Sequence, residues 1–228
     1  MKILLILFTS LFYYCSNAQT EKTYVIKAGQ EIGDVLSFSD IYQYPNFKLG
    51  TVEFYDGKKS NARLNYNYLN GEIDFISSNG DTLSLDDEYT IKIIKIEKDT
   101  FYYSDGYLKE IESFDTRKLA VKRKLIIVKM QKLGAFDQPS NAAVDSYGGY
   151  SDKRSVKLVV KEDITLALVS SYYINDRQKF MPVNKKNILK VFYKKEKEIS
   201  RYINEQNINF KKEDDVIKLF EYLKNMES

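Results

Sequence analysis

The sequence predicts an α+β chain that is mainly β: an antiparallel meander sheet, an open sandwich or barrel-like, with a C-terminal helical hairpin. Three observations predict it. From Tyr24 to about Met130, runs of four to eight residues rich in Ile, Val, Tyr, Phe and Thr alternate with turns. Two Asn-Gly pairs, Asn70-Gly71 and Asn79-Gly80, supply the positive φ that tight hairpins demand. After Pro182 the apolar spacing changes to that of a helix.

In chain order, Val52 and Phe54 share one face of the first clear strand, and "YDGKK" turns it back. Ala62, Leu64, Tyr66 and Tyr68 then share a face, while Arg63, Asn65 and Asn67 point away, the period of a half-buried strand. Ile73 and Phe75 continue the buried side, with Glu72 and Asp74 expected in water and Leu83 and Leu85 closing a three-stranded meander. Ile91 and Ile93 alternate, and then Ile94 and Ile96 take the opposite phase, so either both faces are covered or a bulge shifts the register. Residues Lys118 to Gln131 fit neither period cleanly. Their β-branched Val121, Ile126, Ile127 and Val128 favour a strand.

Between Gly134 and Ser155 the composition turns small, polar and Gly/Ser-rich, which predicts a long loop, either functional or disordered. Asp145, Tyr147, Tyr150 and Asp152 are its candidate binding residues. Strands resume with "SVKLVV" and "ITLALVSSYYI". In the tail, Ile188, Leu189, Val191 and Phe192, then Ile199, Tyr202 and Ile203, fall on one side of a helix or of two helices broken near Tyr193. Val216, Leu219, Phe220 and Leu223 make a second stripe, with Glu213, Asp214 and Asp215 complementing the dipole of its first turn. The lysines of the first tail helix suit a membrane surface, but interleaved glutamates favour a solvated face.

The chain opens with Lys2, an apolar run from Ile3 to Tyr14, and then Ser16-Asn17-Ala18. That order is read as a signal peptide of residues 1–18, cleaved between Ala18 and Gln19. The run is short of the roughly 20 residues a spanning helix needs. Lipid attachment at Cys15 would want a small residue where Tyr14 stands and a Leu where Phe12 stands. The remaining organisation is a β domain of residues 19–181, with its long loop at 134–155, and a helical tail of 182–228.

Past Ala18 the chain has no Cys, His or Trp. Imidazole and thiolate catalysis, the usual zinc and copper ligands, and disulfides are therefore closed to it. No cofactor, metal site or catalytic residue is expected. Lysines and arginines number 35 against 32 acids and interleave with them, which argues against nucleic acid. A carboxylate-based, glycosidase-like hydrolase stays open through Asp86, Asp87 and Glu88, or Asp145 and Asp152, although acids in turns are ordinary solvated turn-formers. The spaced calcium loop of EF-hands is absent. The leading expectation is a non-catalytic binding or structural module, with a protein or glycan partner met through a Tyr-rich face or the long loop.

"LNYNYLNGEIDFISSNGDTLSL", "KDTFYYSDGYLKEI", "KLGAFDQPSNAAVDSYGGY" and the ending from "NKKNILKVFYKKEKEISRYINEQ" to "VIKLFEYL" together resemble small secreted proteins of unknown function from Bacteroidota. The resemblance covers most of the chain in the same order. It implies a periplasmic, outer-membrane-associated or extracellular location and a β-rich body with a helical tail, and it carries no activity. Where such sequences often have proline near the break of the first tail helix, this one has Tyr193.

Overall fold

The computed structural model describes residues 22–133, 139–142, 159–177 and 179–227. The expected leader, with Ala18 and Gln19, lies outside them. In chain order the elements are β1 (Thr23–Ile26), α1 (Ile32–Val35), α2 (Phe38–Ile41), β2 (Lys48–Phe54), β3 (Lys59–Asn67), β4 (Glu72–Ile76) and β5 (Thr82–Ser84). Then follow β6 (Ile91–Ile96), β7 (Asp99–Tyr103), β8 (Tyr107–Phe114), β9 (Arg117–Leu133), β10 (Pro139–Ala142), β11 (Asp163–Asp176) and β12 (Lys179–Pro182). Three helices end the chain: α3 (Lys185–Val191), α4 (Glu196–Glu205) and α5 (Glu213–Glu227). Every strand pair is antiparallel, in one sheet ordered β1-β11-β9-β8-β7-β6-β2-β3-β4-β5, with β10 beside β9 and β12 beside β11. The predicted class is the observed one, and the sheet is not closed on itself.

Hairpins make most neighbours sequential, as the turn signals require. Three pairings are not: β1 joins β11, β11 joins β9 past β10, and β6 returns to β2 rather than to β5. A 3-10 turn at Glu88–Thr90 carries the chain back from β5 to the free side of β2. There the register shifts between Glu53 and Phe54, so the isoleucine run is resolved by a bulge: Ile91, Ile94 and Ile96 are buried while Ile93 stays on the outer side. Gly50 permits this approach. A Cβ there would stand 2.7 Å from the Lys95 carbonyl oxygen and 2.8 Å from Leu64 Cδ1.

The sheet then curls. Leu125 N–H donates to the Tyr68 carbonyl at 2.7 Å, the Tyr66 hydroxyl to the Arg123 carbonyl at 2.8 Å, and Tyr107 N–H to the Gly71 carbonyl at 3.3 Å. The β3–β4 turn thus covers the edge of β9 that β8 and β10 leave between them. Leu64, Tyr66, Ile73, Ile94, Phe101 and Tyr107 fill the core inside the curl.

Two expectations are corrected. Asn65, Asn67 and Asp74 do not face water: they are 0, 5 and 4 % exposed. The chain from Tyr42 to Tyr44 pairs with the edge of β3, Tyr42 bridging Asn67, and there the Tyr42 hydroxyl bonds Asp74 and the Tyr44 main chain bonds Asn65. Alternation correctly separates the two faces of β3 and β4, but it cannot reveal that a segment from elsewhere covers the polar one. Likewise, the expected loop at 134–155 contains a strand, since Pro139–Ala142 pairs with Met130–Leu133. Its polar residues still offer main-chain donors and acceptors to the long β9, the strand that the β-branched residues predict.

Of the two alternatives, one helix or two, the tail is two helices broken at Tyr193–Lys195, followed by α5. Asn184 caps α3, its side chain accepting from Asn187 N–H at 2.9 Å. Lys195 Nζ donates to the Met226 carbonyl, Tyr202 stacks on Tyr222 at 3.6 Å, and Lys218 Nζ meets Gln206 Oε1 at 2.7 Å. The start of α4 therefore meets the end of α5, an antiparallel hairpin. Its apolar stripes pack with Leu119, Val121, Tyr172 and Ile174 of β9 and β11. The far ends of those strands pack instead with Ile26, Ile32, Leu36 and Ile41.

Candidate binding site

On β2, residues 49, 51 and 53 alternate outward between buried Gly50 and Val52, and Tyr55 follows in the turn. Thr51 and Glu53 line a shallow recess of about 320 Å³ with Lys59 and Asn61 of β3 and Ile93 and Lys95 of β6. Just past the end of β2, a second recess of about 480 Å³ is lined by Phe54, Tyr55, Asp56, Lys58, Tyr89 and Thr90. The two recesses share no lining residue, but both draw on β2, and together they make up the track.

Local sequence builds the wider end. Asp56 opens the β2–β3 turn, where its side chain accepts from Lys58 N–H at 2.9 Å, and Tyr55 N–H donates to the Thr90 carbonyl at 3.0 Å, pinning the turn against the 3-10 segment. Asp87 enters that segment with φ 55°, a left-handed conformation that Asp tolerates. Its main-chain carbonyl accepts from the Thr90 hydroxyl at 2.7 Å and its carboxylate from the Tyr89 hydroxyl at 3.2 Å. Both tyrosine rings stand in solvent, Tyr55 70 % and Tyr89 75 % exposed.

Several charges of the two recesses are paired, while Lys95 has no carboxylate partner among the described residues. Glu53 pairs with Lys92 at 2.9 Å and Lys59 at 3.4 Å, and Asp56 with Lys58 at 2.9 Å. The lysine bonds hold Glu53 below the usual carboxylate range, and the Lys58 backbone bond does the same for Asp56. A hydrogen bond to Asp87 raises the Tyr89 phenol. Chemically the track offers two aromatic platforms, a hydroxyl, amides and neutralised ion pairs.

Other polar clusters tie the sheet together. Asp99 accepts from the Tyr44 hydroxyl at 2.6 Å and Gln43 Nε2 at 3.0 Å and pairs with Lys109 at 3.0 Å. Glu110 accepts from Tyr102 at 2.7 Å and Ser113 at 3.0 Å, with Lys118 Nζ 2.7 Å from the Tyr102 oxygen. Burial works to raise Glu110, yet these donors leave it below its ordinary value. A general acid of a glycosidase needs the opposite shift.

Asp145, Tyr147, Tyr150 and Asp152 lie outside the described residues. Asp86, Asp87 and Glu88 stand together at the rim of the wider recess, where Asp87 serves the turn. Among the described residues, no three His, Cys, Asp or Glu side chains are grouped to hold a metal ion. Sequence reading missed Tyr55 and Tyr89 as a pair. The signal available was position: both fall in turns, where strand propensity gives no reason for tyrosine. Comparisons with protein-family models, curated proteins and solved structures find no match for the chain.

Proposed function

We propose that the chain is an exported, non-catalytic module of the cell envelope that binds an uncharged glycan along the outer face of β2. The observation that carries this is the pair of solvent-exposed rings, Tyr55 and Tyr89, framing one recess. An exposed tyrosine offers a broad apolar face with a polar tip at small entropic cost, which suits the CH face and hydroxyls of a sugar. Part of the charge that lines the recesses is paired, as at Glu53–Lys92 and Asp56–Lys58, which supports a largely uncharged ligand. Export is supported by the apolar run before Ala18. Among the described residues, no helix is long and apolar enough to cross a membrane.

Two measurements test the reading. In affinity electrophoresis against a panel of neutral polysaccharides, one is expected to retard the protein. Tyr55→Ala and Tyr89→Ala should each weaken that binding roughly tenfold or more, the size of an aromatic contact residue's effect, with melting unchanged. No new reducing ends should form, and their release would favour the carboxylate hydrolase built on Asp86, Asp87 or Glu88. The intact mass of protein from its native host should correspond to a chain beginning at Gln19. An acylated Cys15 at the N-terminus would instead make it a lipoprotein.

A further inference from the structure

Residues 185–201 carry seven lysine or arginine side chains against two glutamates, in a chain whose charge is otherwise nearly balanced. Sequence alone favours a solvated face here because of the interleaved acids. The structure does not pair them. Glu196 and Glu198 make no ion pair, and Lys186, Lys190, Lys194, Lys197 and Arg201 have no carboxylate partner among the described residues. Some cations elsewhere are paired, as at Lys27–Asp163, Lys109–Asp99, Arg117–Asp176 and Arg123–Glu213, but no other stretch of the described chain sets so many unpaired cations so close together. Two members of the tail set are otherwise engaged: Lys185 meets Asn204 Oδ1 at 3.1 Å, and Lys195 holds the end of α5.

The five cations sit around a protruding corner. Phe192 is buried and ends α3, and the six residues from Tyr193 to Glu198 are then all exposed. Lys186 and Lys190 are one helical turn apart on α3, and Lys197 and Arg201 one turn apart on α4, so each pair shares a side of its helix. At the corner the Tyr193 ring is 68 % exposed. Buried Ile188, Val191, Ile199 and Ile203 anchor the elbow from beneath.

We propose that the α3–α4 elbow docks the protein on an anionic lipid bilayer, with Lys190, Lys194 and Lys197 against the headgroups and the Tyr193 ring at the interface. This is independent of the glycan reading, which concerns β2. Cations near an anionic membrane surface add attraction roughly residue by residue, and the effect is screened by salt. A ring with an apolar body and a polar tip suits the headgroup level. A single basic patch without a lipid anchor gives weak, reversible association rather than insertion.

Sedimentation with vesicles tests it, comparing phosphatidylcholine mixed with phosphatidylglycerol against phosphatidylcholine alone, with the processed chain. Binding to the mixed vesicles only is expected, lost when salt is raised to about 1 M, where the screening length falls to about 3 Å. The triple variant Lys190→Glu/Lys194→Glu/Lys197→Glu should lose on the order of a hundredfold in partitioning. Its thermal melting should match the parent's, since the three side chains are exposed, which separates lost docking from lost folding. Equal binding to both vesicle types, or a triple variant that still sediments, would overturn the proposal. So would heparin binding without vesicle binding, which would make the elbow a site for a soluble polyanion.

Discussion

Replacing Phe220 with Ala is expected to cost about 3–5 kcal/mol of folding stability, the usual penalty for emptying a buried aromatic site. The ring is 2 % exposed, packs 4.9 Å from the Phe114 ring centroid, and belongs to the core that α3, α4 and α5 share with β9 and β11. Its neighbours on the stripe, Val216, Leu219 and Leu223, are buried as completely. A helix of this length is marginal alone in water, so its order comes from that packing. The surroundings also resist collapse into the vacated space. Beneath lies a continuous sheet, and on one side α5 is stapled to β9 and β11 through Glu213, which accepts from Arg123 at 2.6 Å and Tyr172 at 3.2 Å. At about 2–4 °C per kcal/mol for a chain of this size, the melting temperature should fall on the order of 10 °C. An unchanged melting curve would mean that the tail is energetically separate from the sheet.

How much of this was legible follows from the range of the interactions involved. The α5 stripe, the break at Tyr193 and both Asn-Gly turns were readable because each is written within a few consecutive residues. The isoleucine run Ile91–Ile96 announced its own ambiguity, and the contact with β2 resolved it as a bulge. What could not be read depends on segments far apart in sequence. No local feature says that Thr23–Ile26 will pair with Ile164–Ala167, or that the β3–β4 turn will bond to Leu125. Tyr55 and Tyr89 are likewise ordinary turn tyrosines until the return of β6 to β2 sets them around one recess. At the elbow the sequence favours a solvated face, and residues 193–198 are exposed; what the sequence does not reveal is that the lysines and glutamates there stay unpaired.

The second large effect sits where the sequence reading failed, on the covered polar face of β3 and β4. Asp74 accepts three hydrogen bonds, from the Tyr42 hydroxyl at 2.9 Å, Asn67 Nδ2 at 2.8 Å and the Ser84 hydroxyl at 2.7 Å. It thereby ties the segment after α2, the end of β3, and β5 to one carboxylate. Asn67 Oδ1 in turn accepts from Leu69 N–H at 2.9 Å and fixes the turn that reaches β9, while Asn65 bonds both the N–H and the carbonyl of Tyr44. Burial pushes the Tyr42 phenol up, and the nearby Asp74 charge adds to it, so the hydroxyl stays a donor across the physiological range. Bonds to a charged acceptor are the strong kind, and removing the acceptor strands three donors away from water. Asp74→Ala is therefore expected to destabilise the fold by about 3–5 kcal/mol, the order of stranding several buried donors at once. Asp74→Asn keeps one accepting oxygen and should cost less, while Asp81→Ala, at an exposed turn, should cost little. Chemical denaturation of the three variants gives the order directly. If Asp74→Ala proved no worse than Asp81→Ala, the cover over this face would be loose, and the segment from Tyr42 to Tyr44 would contribute nothing to holding β5 on the sheet.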